Sequence, residues 1–190
     1  MVSPDIVLAK HTTDPVTLMR YFLCMLFSLV LLSCGSPILE QRLTDESINW
    51  YAVQIKQLKD FEVVECDPQI EDDLTKLSLT VVSKQELDQI NARISLVESV
   101  EEFVRYFNKD KEIRPFLHIF PFSYQQMEFT ILFHPQNSQF AIAPNIAKAA
   151  LVDGNVLYYT AEENTGAFHV VYEENYLQAW EIVSSTCWKH

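Results

Sequence analysis

Two histidines that have carboxylates nearby are the first residues of this chain that could do chemistry. His169 is preceded by Glu162 and followed by Glu173, and His118 lies in an aromatic segment upstream. A carboxylate beside a histidine can orient the imidazole as a general base, an arrangement that hydrolases use. One hypothesis is therefore a hydrolase that uses His169 or His118 with a nearby glutamate. The alternative is that these glutamates only solvate a turn.

Composition excludes several other kinds of chemistry. The chain has only three glycines, and neither a dinucleotide-binding GxGxxG, a Walker A loop nor a GxSxG nucleophile elbow can be written with them. The histidines of the body are too far apart for an HExxH motif, so we expect no metal site and no cofactor. The formal net charge of -12 argues against nucleic acid as a partner, because phosphate binding needs a basic surface.

The N-terminal part reads as a targeting segment. An unbroken apolar run extends from Tyr21 to Leu32, with Arg20 directly before it. A span of the bilayer needs about 20 helical residues, so this shorter run has the length of a signal-peptide core instead. The run ends in Leu31-Leu32-Ser33-Cys34, with an aliphatic residue three positions before the cysteine and a small residue directly before it.

This tetrapeptide resembles the lipobox of bacterial lipoproteins, and the resemblance covers roughly residues 19–36. It implies cleavage directly before Cys34, a lipid on the sulfur of that residue, and a membrane as partner. In that family an aspartate after the cysteine retains the protein at the inner membrane, and this chain has Gly35 there. The implied location is the bacterial cell envelope, at the outer membrane. An ordinary cleaved signal with an accidental cysteine is the alternative.

The resemblance divides the chain into three parts. Residues 1–33 are the expected signal peptide, residues 34–43 a lipidated tether, and residues 44–190 a single globular domain. Acidic residues before Met19 fit a signal peptide poorly, because the segment ahead of the apolar run should be basic. We therefore hypothesise that Met19 is the initiator.

Two cysteines, Cys66 and Cys187, remain in the body of the chain. An even pair in an oxidising compartment predicts a disulfide, which would stabilise the domain by up to about 4–5 kcal/mol in the chain-entropy model. The alternative is two buried free thiols. A metal site at Cys187 and His190 would lack two ligands, so we do not expect one.

Hydrophobic periodicity predicts the elements that must position these residues. Thr44 can cap a first helix, and the capping box from Ser83 to Glu86 predicts a long helix ending near Asn108. Asp67-Pro68 is expected to break a short first strand, and Asp153-Gly154 marks a tight turn. The predicted strands and the closing helix are Phe61–Glu65, Leu77–Val81, Phe116–Phe120, Met127–His134, Ala149–Val152, Val156–Thr160, Phe168–Tyr172 and a helix from Glu174 to about Ser184.

The order of elements predicts an α+β fold. Strands in a run joined by tight turns indicate an antiparallel sheet with a C-terminal meander, and the long capped helix and the C-terminal helix should pack mainly on one face. Tyr158, Tyr159 and Tyr172 lie where a meander exposes alternate faces, which makes them candidates for an interaction surface. The expected function is a binding or structural module of the envelope rather than an enzyme, with an envelope protein as partner.

Overall fold

The computed structural model of this chain describes residues 37–135 and 140–187, which belong to one compact unit, Pro37–His190. The predicted signal peptide, Met19 and Cys34 lie outside the described residues. No helix in the described ranges is long and apolar enough to cross a bilayer. The elements are α1 (Pro37–Lys59), β1 (Phe61–Ile70), β2 (Leu74–Ser83), α2 (Gln89–Lys109), β3 (Met127–Phe133), β4 (Lys148–Val152), β5 (Asn155–Ala161), β6 (Phe168–Asn175) and α3 (Tyr176–Cys187).

The six strands form one sheet in chain order, from β1 at one edge to β6 at the other. Neighbouring strands are antiparallel except β2 and β3, which run parallel. The parallel pair arises because α2 crosses over between these strands and returns the chain to the same end of the sheet. The α+β fold with its C-terminal meander and closing helix is therefore confirmed, and the sheet is mixed rather than wholly antiparallel.

All three helices contribute to a single core on one face of the sheet. Leu79, Phe129 and Tyr158 alternate with polar or half-buried neighbours and are fully buried beneath the helices. The apolar side of α2 lies at the centre, where Phe103 and Phe107 stack with ring centroids 5.1 Å apart. The expectation that the helices pack mainly on one face is confirmed.

The predicted tight turn joins β4 and β5. Asp153 and Gly154 have φ angles of 47° and 78°, the positive values that a two-residue hairpin loop requires. Glycine adopts this conformation without a steric cost, and aspartate is among the few other residues that tolerate it. The turn therefore fixes the register of the meander that ends in β6.

Tertiary contacts place several element boundaries at residues other than the predicted ones. The long helix begins at Gln89 with Asp88 as its N-cap, not at the predicted capping box, because Ser83 is buried as the last residue of β2. The first helix begins at Pro37, within the predicted tether. β1 continues through Pro68, which an edge strand accommodates when the missing N–H faces outward.

The predicted strand at Phe116–Phe120 is wrong. A short 3-10 turn at Arg114–Phe116 and a bend replace it. Pro115 lies inside that turn, and prolines remove the backbone donors that a strand would need.

Candidate functional site

The two histidines singled out by the sequence do not share a site. The backbone N–H of His118 donates to the carbonyl of Leu74 at the start of β2, whereas His169 lies at the start of β6 opposite Thr160. These two strands run in opposite directions, so their first residues are at opposite ends of the sheet. They are also four strands apart, which separates the two histidines by at least about 20 Å.

The predicted pairing of His169 with a glutamate is not formed. Glu173 lies opposite Leu157, three residues from Thr160 on β5, so its side chain projects from the other face of the sheet. The Glu162 carboxylate accepts a hydrogen bond from the Thr165 hydroxyl at 2.5 Å. Within the described residues no ion pair joins the exposed His169 to a carboxylate.

The other histidines also lack the surroundings of a catalytic group. Nδ1 of His118 lies 4.0 Å from Oδ2 of Asp73, and both side chains are exposed to solvent. His134 stacks edge-on against Phe140, and its buried Nε2 has no hydrogen-bond partner. Among the described residues, no three His, Cys, Asp or Glu side chains come together in an arrangement that could hold a metal ion.

Cys66 is a half-buried free thiol on β1. It lines a groove of about 430 Å³ between α1 and β1, together with Asp45 and Glu65. Burial, followed by the charges of Asp45 and Asp67, raises the pKa of the Cys66 thiol to about 11, so it stays protonated at neutral pH and is a poor nucleophile. The side chain of Cys187 lies outside the described residues, so the disulfide and the alternative of two free thiols both stay predictions.

A buried ion pair ties β6 to the helical layer. Nε and Nη2 of Arg93 on α2 donate to the two carboxylate oxygens of Glu174 at 2.6 and 3.1 Å. The hydroxyl of Tyr158 donates to the same carboxylate at 2.7 Å, and burial together with that hydrogen bond raises the pKa of Tyr158. The Arg93 guanidinium also lies 5.9 Å from the ring centroids of Tyr158 and Tyr172.

Glu174 is thus fixed on the helix-facing side of β6, but the earlier part of the strand exposes apolar side chains on both of its faces. Phe168, Val170, Val171 and Tyr172 are 36–52% exposed, and they account for four of the twelve large hydrophobic side chains exposed in the described residues. Of the three tyrosines expected at an interaction face, Tyr158 is buried, Tyr159 is half-buried and Tyr172 is exposed. Phe168 and Val170 project from the sheet face opposite the helices, whereas Tyr172 lies on the same face as Glu174. The four residues therefore adjoin along the edge of the sheet, and a group of exposed hydrophobic side chains is a candidate for an interaction surface.

The backbone of β6 also has groups that can bind another strand. In an antiparallel pair, residues alternate between those bonded across the pair and those whose N–H and C=O point away. The N–H of Glu162 donates to the carbonyl of Ala167 at 2.9 Å, which fixes the alternation at this end. Phe168 and Val170 therefore direct their backbone groups to the open side of the edge strand.

Aromatic contacts hold the first residue of this strand in place. The ring of Phe168 packs edge-on against Phe140, with centroids 4.8 Å apart, and lies 6.4 Å from Tyr159. The Lys148 ammonium is 4.3 Å from the Tyr159 centroid and 5.8 Å from that of Phe168. Packing therefore holds the start of β6 in place, and a preorganised surface of this kind has a low entropic cost of binding.

Charges near β6 are mostly negative. From Ala149 to Cys187 the sequence contains no lysine or arginine and six acidic residues. Glu162 and Glu163 flank the start of the exposed strand, and Glu173 follows its apolar stretch. Each of these three carboxylates is exposed, while Glu174 is neutralised by its buried partner.

The β6 edge, defined as Phe168–Asn175, combines exposed apolar side chains, flanking carboxylates and backbone groups that find no partner in the described ranges. These properties suit binding rather than covalent chemistry. Comparison of the chain with known protein families, with curated proteins and with solved structures finds no match to any of them.

Proposed function

We propose that this protein is a lipid-anchored component of the bacterial envelope that binds another protein through its β6 edge. The observation that carries the binding half of the proposal is that Phe168, Val170, Val171 and Tyr172 are all exposed along one edge strand. The anchoring half is supported by the lipobox that ends at Cys34.

Charge explains why such a protein needs a lipid. The acidic and basic residues of the segment 1–33 cancel, so the mature chain keeps the net charge of -12. An anionic bilayer surface repels a protein of this charge. Each acyl methylene buried in the bilayer contributes about 0.8 kcal/mol, so two or three chains on Cys34 provide a stable attachment that the protein surface does not.

The anchor is tested by labelling cells with a fatty acid and separating membranes from soluble material. Cys34→Ala is expected to lose the label and to leave the membrane fraction. Cys24→Ala is the matched control, because that cysteine lies in the apolar run and is removed with the signal peptide. Retention of the label by the Cys34→Ala variant contradicts the anchor.

Binding through the β6 edge is tested with a photoreactive residue placed in the full-length protein in living cells. Replacement at Val170 is expected to yield a defined crosslinked adduct. Val64 on β1 is the matched control position, since the two valines are 51% and 54% exposed. Equal adducts from both positions, or none from Val170, contradict the assignment of the binding surface.

A further inference from the structure

We infer that the occupant of the β6 edge is an extended segment of a partner protein, apolar at its centre and basic at both ends, which adds to the sheet as a seventh strand. This inference rests on the proposed function and names the chemistry of the partner. It follows from three features of the edge: its backbone, its side chains and its charge.

The backbone favours a strand over a helix as the occupant. Phe168 and Val170 direct outward N–H and C=O groups that have no backbone partner among the described residues, and they do so in the alternation that a neighbouring strand matches as far as the register shift at Val171. A helix satisfies its own backbone groups internally and leaves those of the edge unpaired. Strand addition pairs them, so the main chain supplies affinity and the side chains supply selectivity.

The side chains and charges specify the sequence of the incoming strand. Its central residues lie beside Val170, Val171 and Tyr172, so apolar side chains there bury surface that is now exposed. Its ends lie near Glu162 and Glu163 on one side and Glu173 on the other. Lysine or arginine at both ends complements these carboxylates, and an acidic segment is repelled by them.

The same charges disfavour a second copy of this chain as occupant. In an antiparallel pair of β6 strands, the end of one strand faces the start of the other. Glu173 of each copy then approaches Glu162 and Glu163 of the other copy, and like charges directly opposite destabilise a strand pair. Each copy also carries the full net charge of -12.

A synthetic peptide tests the inference on the full-length protein in detergent. The probe is a fluorescent peptide of alternating valine and threonine with two lysines at each end, and its binding is followed by anisotropy. Two matched peptides carry glutamates in place of the lysines, or a proline in place of the central valine. We expect both changes to weaken binding by about tenfold or more, and added salt to weaken binding of the lysine peptide.

Substitutions at Val170 assign the binding to this edge. Val170→Pro removes an outward N–H and should abolish binding, whereas Val170→Thr keeps the backbone and β-branched shape and should change affinity by less than about threefold. Val170→Lys adds a cation that repels the lysine peptide, and Val64→Lys is its control because the charge change is identical. Thermal unfolding shows which variants remain folded. If Val170→Pro does not fold, Val170→Lys tests the site instead.

The outcomes separate this inference from the function on which it rests. Equal binding of the lysine and glutamate peptides overturns the basic partner, even if Val170 crosslinks to a protein in cells. Sedimentation detects self-association of the protein. If the protein self-associates and Val170→Lys abolishes this, the occupant of the β6 edge is a second copy, and the inference of a basic partner is overturned. Failure of the crosslink in cells overturns the proposed function, whatever the peptide does.

Discussion

The two edge strands of the sheet differ in how their outward backbone N–H and C=O groups are protected from pairing with another strand. β1 has Pro68, which removes one donor, and the exposed carboxylates of Glu62, Glu65 and Asp67. Helix α1 packs along this strand. Both strands contain a register shift, but β6 contains no proline and exposes four hydrophobic side chains along its length. Since charges, prolines and covering helices are the usual protection against strand pairing, one edge of this sheet is protected and the other is left available.

The β6 edge is exposed but not loosely held, because buried contacts fix this strand to the rest of the domain. Glu174 on β6 is 3% exposed at its side chain and is bound by Arg93 and Tyr158. A buried ion pair gives little net stability, but it fixes one geometry. Its effect here is to hold β6 against β5 and α2 while the outward face of the same strand stays open.

Breaking that ion pair should give the largest effect. Glu174→Gln leaves the Arg93 guanidinium buried without its countercharge, and we expect a loss of about 3–5 kcal/mol in the free energy of unfolding. This loss is measured by denaturant unfolding of the Glu174→Gln and Glu173→Gln variants. Glu173→Gln is the matched control, because the adjacent carboxylate is exposed and its loss should change stability by less than about 0.5 kcal/mol. Equal effects of the two substitutions refute the role given to Glu174.

Burial of Cys66 on β1 should lower the alkylation rate of its thiol. The pKa of Cys66 is raised from an ordinary 9.0 to about 11, so the protonated form is favoured. At pH 8 its thiolate fraction, and hence its alkylation rate, should be about 100-fold below that of an unperturbed thiol. The rate should rise about tenfold per pH unit until the pH nears 11.

Peptide-resolved mass spectrometry follows alkylation of Cys66 without altering the other cysteines. The denatured chain is the control, because its thiol has lost the burial and the neighbouring charges of Asp45 and Asp67. Native and denatured rates that agree at pH 8 contradict the raised pKa.

Local patterns predicted the parts of the fold that depend on local physics. The alternation of Leu77, Leu79 and Val81 indicated β2, and Asp153-Gly154 indicated the hairpin that the structure contains. The capping box at Ser83 failed because the residue is buried between β1 and β3, where its carbonyl accepts the N–H of His134. Long-range pairing outweighed a local signal there, as tertiary contacts commonly do.

The β6 edge was only partly predictable from sequence. Tyr172 belonged to a predicted interaction face, but Val170 and Val171 looked like ordinary strand residues, since nothing in the sequence states that β6 ends the sheet. Glu174 was expected to begin the closing helix, and its partner Arg93 lies 81 residues away in the chain. Contacts of such separation leave no periodic signal.

The smallest change in stability should come from removing the protection of β1, and it tests the comparison most directly. Glu65→Val combined with Pro68→Val removes a charge and restores a donor on an exposed edge, so we expect less than about 1 kcal/mol of change in unfolding free energy. The double variant should nevertheless self-associate with rising concentration in sedimentation velocity, because its second edge then lacks the proline and one of the carboxylates that oppose strand pairing. Glu71→Val, in the turn after β1, is the control for the charge alone. If the double variant stays monomeric, proline and charge are not what separates the two edges, and the cover provided by α1 must account for the difference.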